Sequence, residues 1–322
     1  MNDQGIPWPK KVDVLGIGIS PTSYEEATRA IVQAAKARVP ALVSCYAVHA
    51  LVTASCEPAL RQKANAFDMI TPDGQPVRWA LNLLYRAGLR QRVYGPELML
   101  RLCGAAAGAG IPIYLYGGTP EVVEQLCKNL NTKFPALRIA GYESPPFRAL
   151  TREEDEQVVA RINGSGAGIV FIGLGCPKQD VFAYDHRDRI RAVQVCVGAA
   201  FDFHAGAKPM APAWMQRWGL EWLYRLLCEP RRLWRRYLVT NSIFLAKLAA
   251  AVCRQRTQRL RHLAAGKSRA PGAAPQRSHR AANDTARPRE LGMEDPSLAL
   301  RVAALHQGGT AEDRPQRESQ ER

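Results

Sequence analysis

No run of about 20 consecutive apolar residues occurs in this 322-residue chain, so a conventional membrane-spanning helix is not expected. The first residues, Met1-Asn2-Asp3-Gln4-Gly5-Ile6-Pro7, lack the basic and apolar regions of a secretory signal. A cytoplasmic protein is therefore expected. Its eight cysteines never form Cys-x-x-Cys and lie far apart, mostly in apolar runs, which argues against a zinc site or a disulfide framework. Several signatures are also absent. Without a Gly-Lys-Ser/Thr ending, triphosphate hydrolysis is disfavoured, and without Gly-x-Gly-x-x-Gly so is a dinucleotide fold. With neither Asp-x-Asp after a strand nor His-x-x-x-His, charge on a leaving phosphate would have to be met by Lys and Arg rather than by a bound metal.

The chain is otherwise well supplied for a core, with 47% hydrophobic and 23% charged residues in 35.5 kDa. Its net charge of +15 is unevenly spread. Residues 1–205 hold 22 Lys and Arg against 19 Asp and Glu, whereas 206–253 hold 8 against 2 and 254–322 hold 14 against 8. A basic C-terminal third on a nearly neutral body suits a polyanion: a phosphorylated substrate, an anionic membrane or nucleic acid.

Apolar runs alternate with helical patterns from Val12 to Gly198. Strands are predicted over Val12–Ile19, Ala41–Tyr46, Asp68–Thr71, Ile111–Tyr116, Leu137–Ala140, Ile169–Ile172 and Val193–Val197. The capping box Ser23-x-x-Glu26 starts a helix, and further helices are expected at about 96–109, 120–131, 152–163 and 178–190. Such alternation indicates an α/β fold, a mainly parallel sheet with helices on both faces. The expected division is a core over 1–205, a basic helical appendage over 206–264 and a disordered tail over 265–322, too poor in large apolar residues to fold. At about 100° per residue, Leu233, Trp234, Tyr237, Leu238, Phe244, Leu245, Leu248 and Val252 share one helix face. Arg232, Arg235, Arg236, Lys247 and Arg254 fall opposite, the pattern of a helix lying in a membrane interface.

Ligands of parallel sheets bind beyond the carboxyl ends of the strands. Three segments occupy such positions. Asp73 in Pro72-Asp73-Gly74 is either ordinary turn chemistry or a general base. Gly117-Gly118 before a helix is either a close strand-to-helix turn or a phosphate cradle. Gly173-Leu174-Gly175-Cys176-Pro177-Lys178-Gln179 combines glycines with a cation and an amide, suited to a diphosphate or a sugar. His49 and His204 lie near strand ends and read as structural.

The ordered motifs Pro72-Asp73-Gly74, Arg92-Val93-Tyr94-Gly95, Tyr116-Gly117-Gly118, Gly173-Leu174-Gly175-x-Pro177-Lys178-Gln179, Phe201-Asp202-Phe203-x-Ala205-Gly206 and Gly219-Leu220-Glu221-Trp222-Leu223-Tyr224-Arg225-x-x-x-Glu229-Pro230-x-Arg232 resemble the WecG/TagA/CpsF family of bacterial glycosyltransferases over roughly 10–250. The resemblance implies a modified Rossmann-like α/β core and inverting, metal-independent transfer of an N-acetylmannosamine-type or related sugar from a UDP-sugar to a polyprenyl-diphosphate-linked saccharide. The enzyme would need no cofactor and would sit peripherally on the inner face of the cell membrane, with self-association left open. By motif match, Asp73 is the general base, and Arg92, Lys178 and Gln179 line the pocket. Gly117, Gly118, Gly173 and Gly175 flank the nucleotide, and Arg225, Arg232 and Arg235 close over the diphosphate, helped by the amides of Gly117-Gly118. Two departures stand out. Ser44-Cys45-Tyr46-Ala47-Val48-His49 replaces a usual Thr-x-Asn, and Asp180 replaces a usual Glu. The competing readings are a basic nucleic-acid-binding protein and a dinucleotide-dependent oxidoreductase.

Overall fold

The computed structural model describes residues 5–267. The tail expected over 265–322 lies almost wholly outside the described residues.

A six-stranded parallel sheet organises the chain through Leu248. In chain order its strands are β3 (Ala41–Tyr46), β4 (Met69–Pro72), β5 (Ile113–Gly117), β6 (Ile139–Glu143), β7 (Ile169–Gly173) and β8 (Val193–Cys196). Their spatial order is β4-β3-β8-β7-β5-β6. The central strands are Val- and Ile-rich and buried on both faces, as parallel strands between helix layers must be. One face carries α1 (Tyr24–Lys36), α5 (Gly95–Ala109), α6 (Pro120–Lys133) and α9 (Ala200–Ala205). The other carries α2 (Val48–Cys56), α3 (Pro58–Asn65), α4 (Gln75–Tyr85), α7 (Arg152–Gly164) and α8 (Lys178–Asp185). Helix α1 has the expected capping box, with Ser23 Oγ accepting from the Glu26 amide and the Glu26 carboxylate from the Ser23 amide.

The strand predicted over Val12–Ile19 is instead a separate hairpin, β1 (Val12–Val14) and β2 (Ile17–Ile19), paired antiparallel. Leu15 and Gly16 both adopt positive φ, 59° and 89°, the two-residue turn whose twist suits a hairpin. Helix α8 ends at Asp185, short of the expected 190.

The basic region breaks into α10 (Ala213–Trp218), α11 (Glu221–Cys228) and α12 (Pro230–Lys267). Gly219 at φ 73° ends α10 and Pro230 opens α12, each where that residue type is least costly. The chain divides into a compact unit through Leu248 and a second unit from Ala249. Within the first, Met215, Leu233, Thr240 and Phe244 are buried, so these helices share its core.

Two expectations bear on α12, and the second is corrected. First, Pro230–Gln258 is long and apolar enough to cross a membrane by length and composition, with mean hydropathy 1.2 in an 18-residue window. Lys247 interrupts the apolar run, and the average still reaches that value. Second, the helix does not carry one apolar and one basic face. Leu233, Thr240 and Phe244 point inward while Trp234, Leu238 and Leu245 are exposed. Lys247, expected on the solvent side, donates to Ser55 O at 3.2 Å and Ser55 Oγ at 3.0 Å, meeting the carbonyl end of α2.

Candidate active site

Because all six strands run parallel, their carboxyl ends lie along one edge. A cavity of about 1460 Å³ opens there, lined by Asp73, Arg92, Tyr94, Gly118, Gly173, Gly175, Lys178 and Gln179 from the strand ends. Glu221, Trp222, Arg225, Arg232 and Arg236 line it from α11 and α12. The volume exceeds the ~300–1,000 Å³ usual for one small ligand. Two substrates meeting in one site would need such room.

Asp73 follows β4 directly. Its Oδ2 accepts from the Gly95 amide at 2.8 Å, which ties the carboxylate to the first residue of α5. Burial pushes its pKa up to about 6, while Arg92 and the Gly95 hydrogen bond pull the other way. The carboxylate is thus ionised at neutral pH yet basic enough to take a proton.

Arg92 is held from three sides. Its Nη2 lies 2.5 Å from Glu221 Oε2 and 3.3 Å from Gln216 Oε1, and its guanidinium stacks 4.1 Å above the centre of the Tyr94 ring. The pair is nearly buried, with side-chain exposures of 11% and 12%. It joins the segment after β4 to α10 and α11.

Gly117 and Gly173 pair across β5 and β7. A Cβ on Gly117 would stand 2.6 Å from the Gly173 carbonyl carbon, and one on Gly173 would stand 2.7 Å from the Phe201 ring. Close packing therefore explains both residues. Gly117 does not line the cavity, and the Gly118 amide, expected to meet a diphosphate, already donates to Gly173 O at 3.3 Å.

Gln179 is buried at the start of α8, and its Oε1 lacks a hydrogen-bond partner. Lys178 beside it is exposed at the cavity. Asp180 is buried behind them, where burial raises its pKa to about 6 while the Ser44 hydroxyl, 2.6 Å from Oδ1, opposes the shift. The two positions that departed from the family pattern are thus partners.

Among the arginines, Arg225 and Arg232 line the cavity, and Arg232 pairs with Glu229. Arg235 does not line it. It is exposed on α12, 5.2 Å over the Trp234 ring. Arg236 lines it instead, partly buried. Sequence reasoning missed this residue, although its spacing from Leu233, Thr240 and Phe244 would have placed it on the inward stripe. Lys208, paired with Asp202 at 2.9 Å, and Tyr94 were also missed. His204 Nε2 donates to Pro96 O, 2.9 Å away, outside the cavity lining. Among the described residues, no three His, Cys, Asp or Glu side chains gather in a way that could hold a metal ion.

Fold and cavity together define an α/β enzyme whose site lies at the carboxyl edge of a parallel sheet. Residues 12–260 match the family model described as glycosyl transferase WecG/TagA/CpsF family, so the chain belongs to that family. It is a glycosyltransferase of cell-surface polysaccharide biosynthesis, acting on a sugar donor and an acceptor. The nucleic-acid-binding and oxidoreductase readings fall away with that finding.

Proposed function

We propose that the protein transfers a sugar from a UDP-sugar to a polyprenyl-diphosphate-linked saccharide with inversion, without a metal, at the cytoplasmic face of the membrane. The carrying observation is Asp73, a carboxylate with a pKa of about 6 on the wall of a cavity whose other side is rich in arginine. In this reading Asp73 takes the proton of the acceptor hydroxyl as that oxygen bonds to the anomeric carbon. The bond from that carbon to the diphosphate oxygen breaks on the opposite side. The released charge is met by arginines of α11 and α12, and Gln179 offers its unpartnered amide oxygen to a sugar hydroxyl.

The proposed organisation is a catalytic core over 1–205 with a membrane-associating appendage over 206–264. Exposed Trp214, Trp218, Trp222, Trp234 and Leu238, interleaved with Arg217, Arg231 and Arg235, support that role for the appendage.

Asp73→Asn tests the assignment. Loss of a general base lowers turnover by about 10²–10⁴, and calorimetry with EDTA present should find UDP affinity within a few-fold of the parent's. Parental turnover in this variant would remove Asp73 from the mechanism. Parental turnover that vanishes in EDTA would remove the metal-free reading.

A further inference from the structure

Eight residues of α12 line the cavity, from Arg232 to Leu248, and they recur at the three- and four-residue spacing of one helix face. Their character changes along the helix. Arg232 and Arg236 come first, Tyr237, Thr240 and Asn241 follow, and Phe244, Leu245 and Leu248 come last. At 1.5 Å per residue this stripe extends about 24 Å, far more than a diphosphate needs.

The far end is apolar on more than one side. Phe244 and Leu248 pack in one cluster with Leu174 of the β7–α8 loop and Phe182 of α8, and all four line the cavity. The Phe182 ring is fixed by stacking on Tyr116 at 4.6 Å and on His186 at 4.0 Å. Polar groups of these helices have partners of their own. Asp185 pairs with Lys63, His186 hydrogen-bonds Asp155 at 2.7 Å, and Lys247 is turned to Ser55. Leu245 lines the cavity and is yet 63% exposed, so the cavity opens to the surface there. Leu238, seven residues earlier and thus on the same side of the helix, is exposed as well. The opening therefore lies on the outward apolar stripe of α12.

A wall that passes from charged through polar to apolar fits a ligand with the same gradient, an anionic head on a hydrocarbon tail. Water against Phe244, Leu248 and Phe182 is unfavourable, and a hydrocarbon that displaces it removes apolar surface from solvent. A headgroup drawn in as far as Asp73 also pulls the first part of its tail out of the lipid, which is costly unless the protein offers an apolar wall in exchange. We propose that the Phe244–Leu248 end of the cavity, with Leu174 and Phe182, is a binding groove for the first units of a prenyl chain, which leaves past Leu245 toward the membrane. The gradient itself calls for an anion with a hydrocarbon tail. That this tail belongs to the acceptor rests on the lipid-linked acceptor of the proposed function.

Dimethylallyl and farnesyl diphosphate, which share a headgroup and differ in tail length, are the probes. Each is titrated by calorimetry into the full-length protein without vesicles, at concentrations where it stays monomeric. The longer tail should bind about tenfold more tightly or better, because its added carbons leave water. Leu245→Gln, at an exposed position, should keep the parental Tm and UDP affinity while cutting that advantage to about threefold or less, and Leu245→Met should retain it. A farnesyl tail that adds no affinity would overturn the proposal, as would a length preference untouched by Leu245→Gln. Weaker UDP binding in Leu245→Gln would give this end of the cavity to the donor, and the groove would fall. Turnover of saccharide acceptors built on the same two tails separates the groove from the reading it rests on. A length preference in binding with no transfer to either acceptor would keep the groove and sink the lipid-linked acceptor. Transfer to both at equal kcat/KM, with binding indifferent to length, would keep that acceptor and sink the groove.

Discussion

The burial that suits Asp73 to the proposed reaction also makes it costly to the fold. Folding raises its pKa from 3.8 to about 6, so the native state holds its proton more tightly than the unfolded chain does. The stability this gives is present below pH 3.8 and is lost as pH rises through 6. Above that range the ionised form is a burden that an amide would not carry. Asp73→Asn should therefore melt higher than the parent, with a gain larger at pH 8 than at pH 4, since Asn can still accept from the Gly95 amide. Scanning calorimetry at the two pH values checks this, and a variant melting lower at pH 8 would show that Asp73 is stabilising when ionised. Activity runs the other way. The parent's rate should climb about tenfold per pH unit below 6 and level off above it. A group that costs stability in the ionisation state its chemistry needs is a common property of active sites.

At the scale of elements, the Arg92–Glu221 pair fixes α11 against the segment after β4, and both groups are nearly buried. Glu221→Gln leaves the guanidinium without its counter-charge and should destabilise the protein by about 3–5 kcal/mol. Replacing both residues with apolar ones of similar size should recover much of that loss. Denaturant unfolding of the single and double variants measures the difference, and a double variant as unstable as Glu221→Gln would mean that the pair matters for more than charge. Neither partner's role in this contact was legible in the sequence. Arg92 and Glu221 stand out as motif residues, but nothing in the chain between them says that they meet. The sheet was far more legible. Three of its six strands, β4, β5 and β7, are uninterrupted runs of β-branched and large apolar residues closed by Gly or Pro, and such runs can be found without help from tertiary contacts. What escaped were α2, so fully buried that it shows no amphipathic pattern, the short and mostly solvent-facing α3, α4, although its buried Val77, Ala80, Leu81 and Leu84 recur at helical spacing, and the Leu15-Gly16 turn, hidden inside an apolar run. The inward turn of Arg236 escaped for a related reason. With Trp234, Leu238 and Leu245 facing outward, a wheel drawn from hydrophobicity alone centres on the wrong stripe of α12.

For the whole molecule, that outward stripe decides how membrane contact should be tested. Removing everything after Ala205 would strip Met215, Leu233 and Phe244 from the core and damage the body together with any membrane surface. Exposed side chains offer a cleaner probe. Trp218 is 74% exposed and Leu238 62%, so Trp218→Ser with Leu238→Gln should leave the melting temperature almost unchanged. Transfer of each large apolar side chain from water into an interface contributes about 1.5–3 kcal/mol when fully buried, and a tenfold change in affinity corresponds to about 1.4 kcal/mol. The double variant should accordingly bind vesicles of phosphatidylglycerol at least tenfold more weakly in a flotation assay. Raising the salt concentration should weaken the parent as well, because the surrounding arginines attract anionic headgroups through screened charge. Parental flotation by the double variant would move the contact elsewhere on the protein, and salt-insensitive flotation of the parent would mean that α12 binds by insertion alone. Activity on a lipid-linked acceptor should fall in parallel with flotation, while UDP affinity, set inside the cavity, should not. That separation distinguishes a surface that delivers the enzyme to its acceptor from one that shapes the site itself.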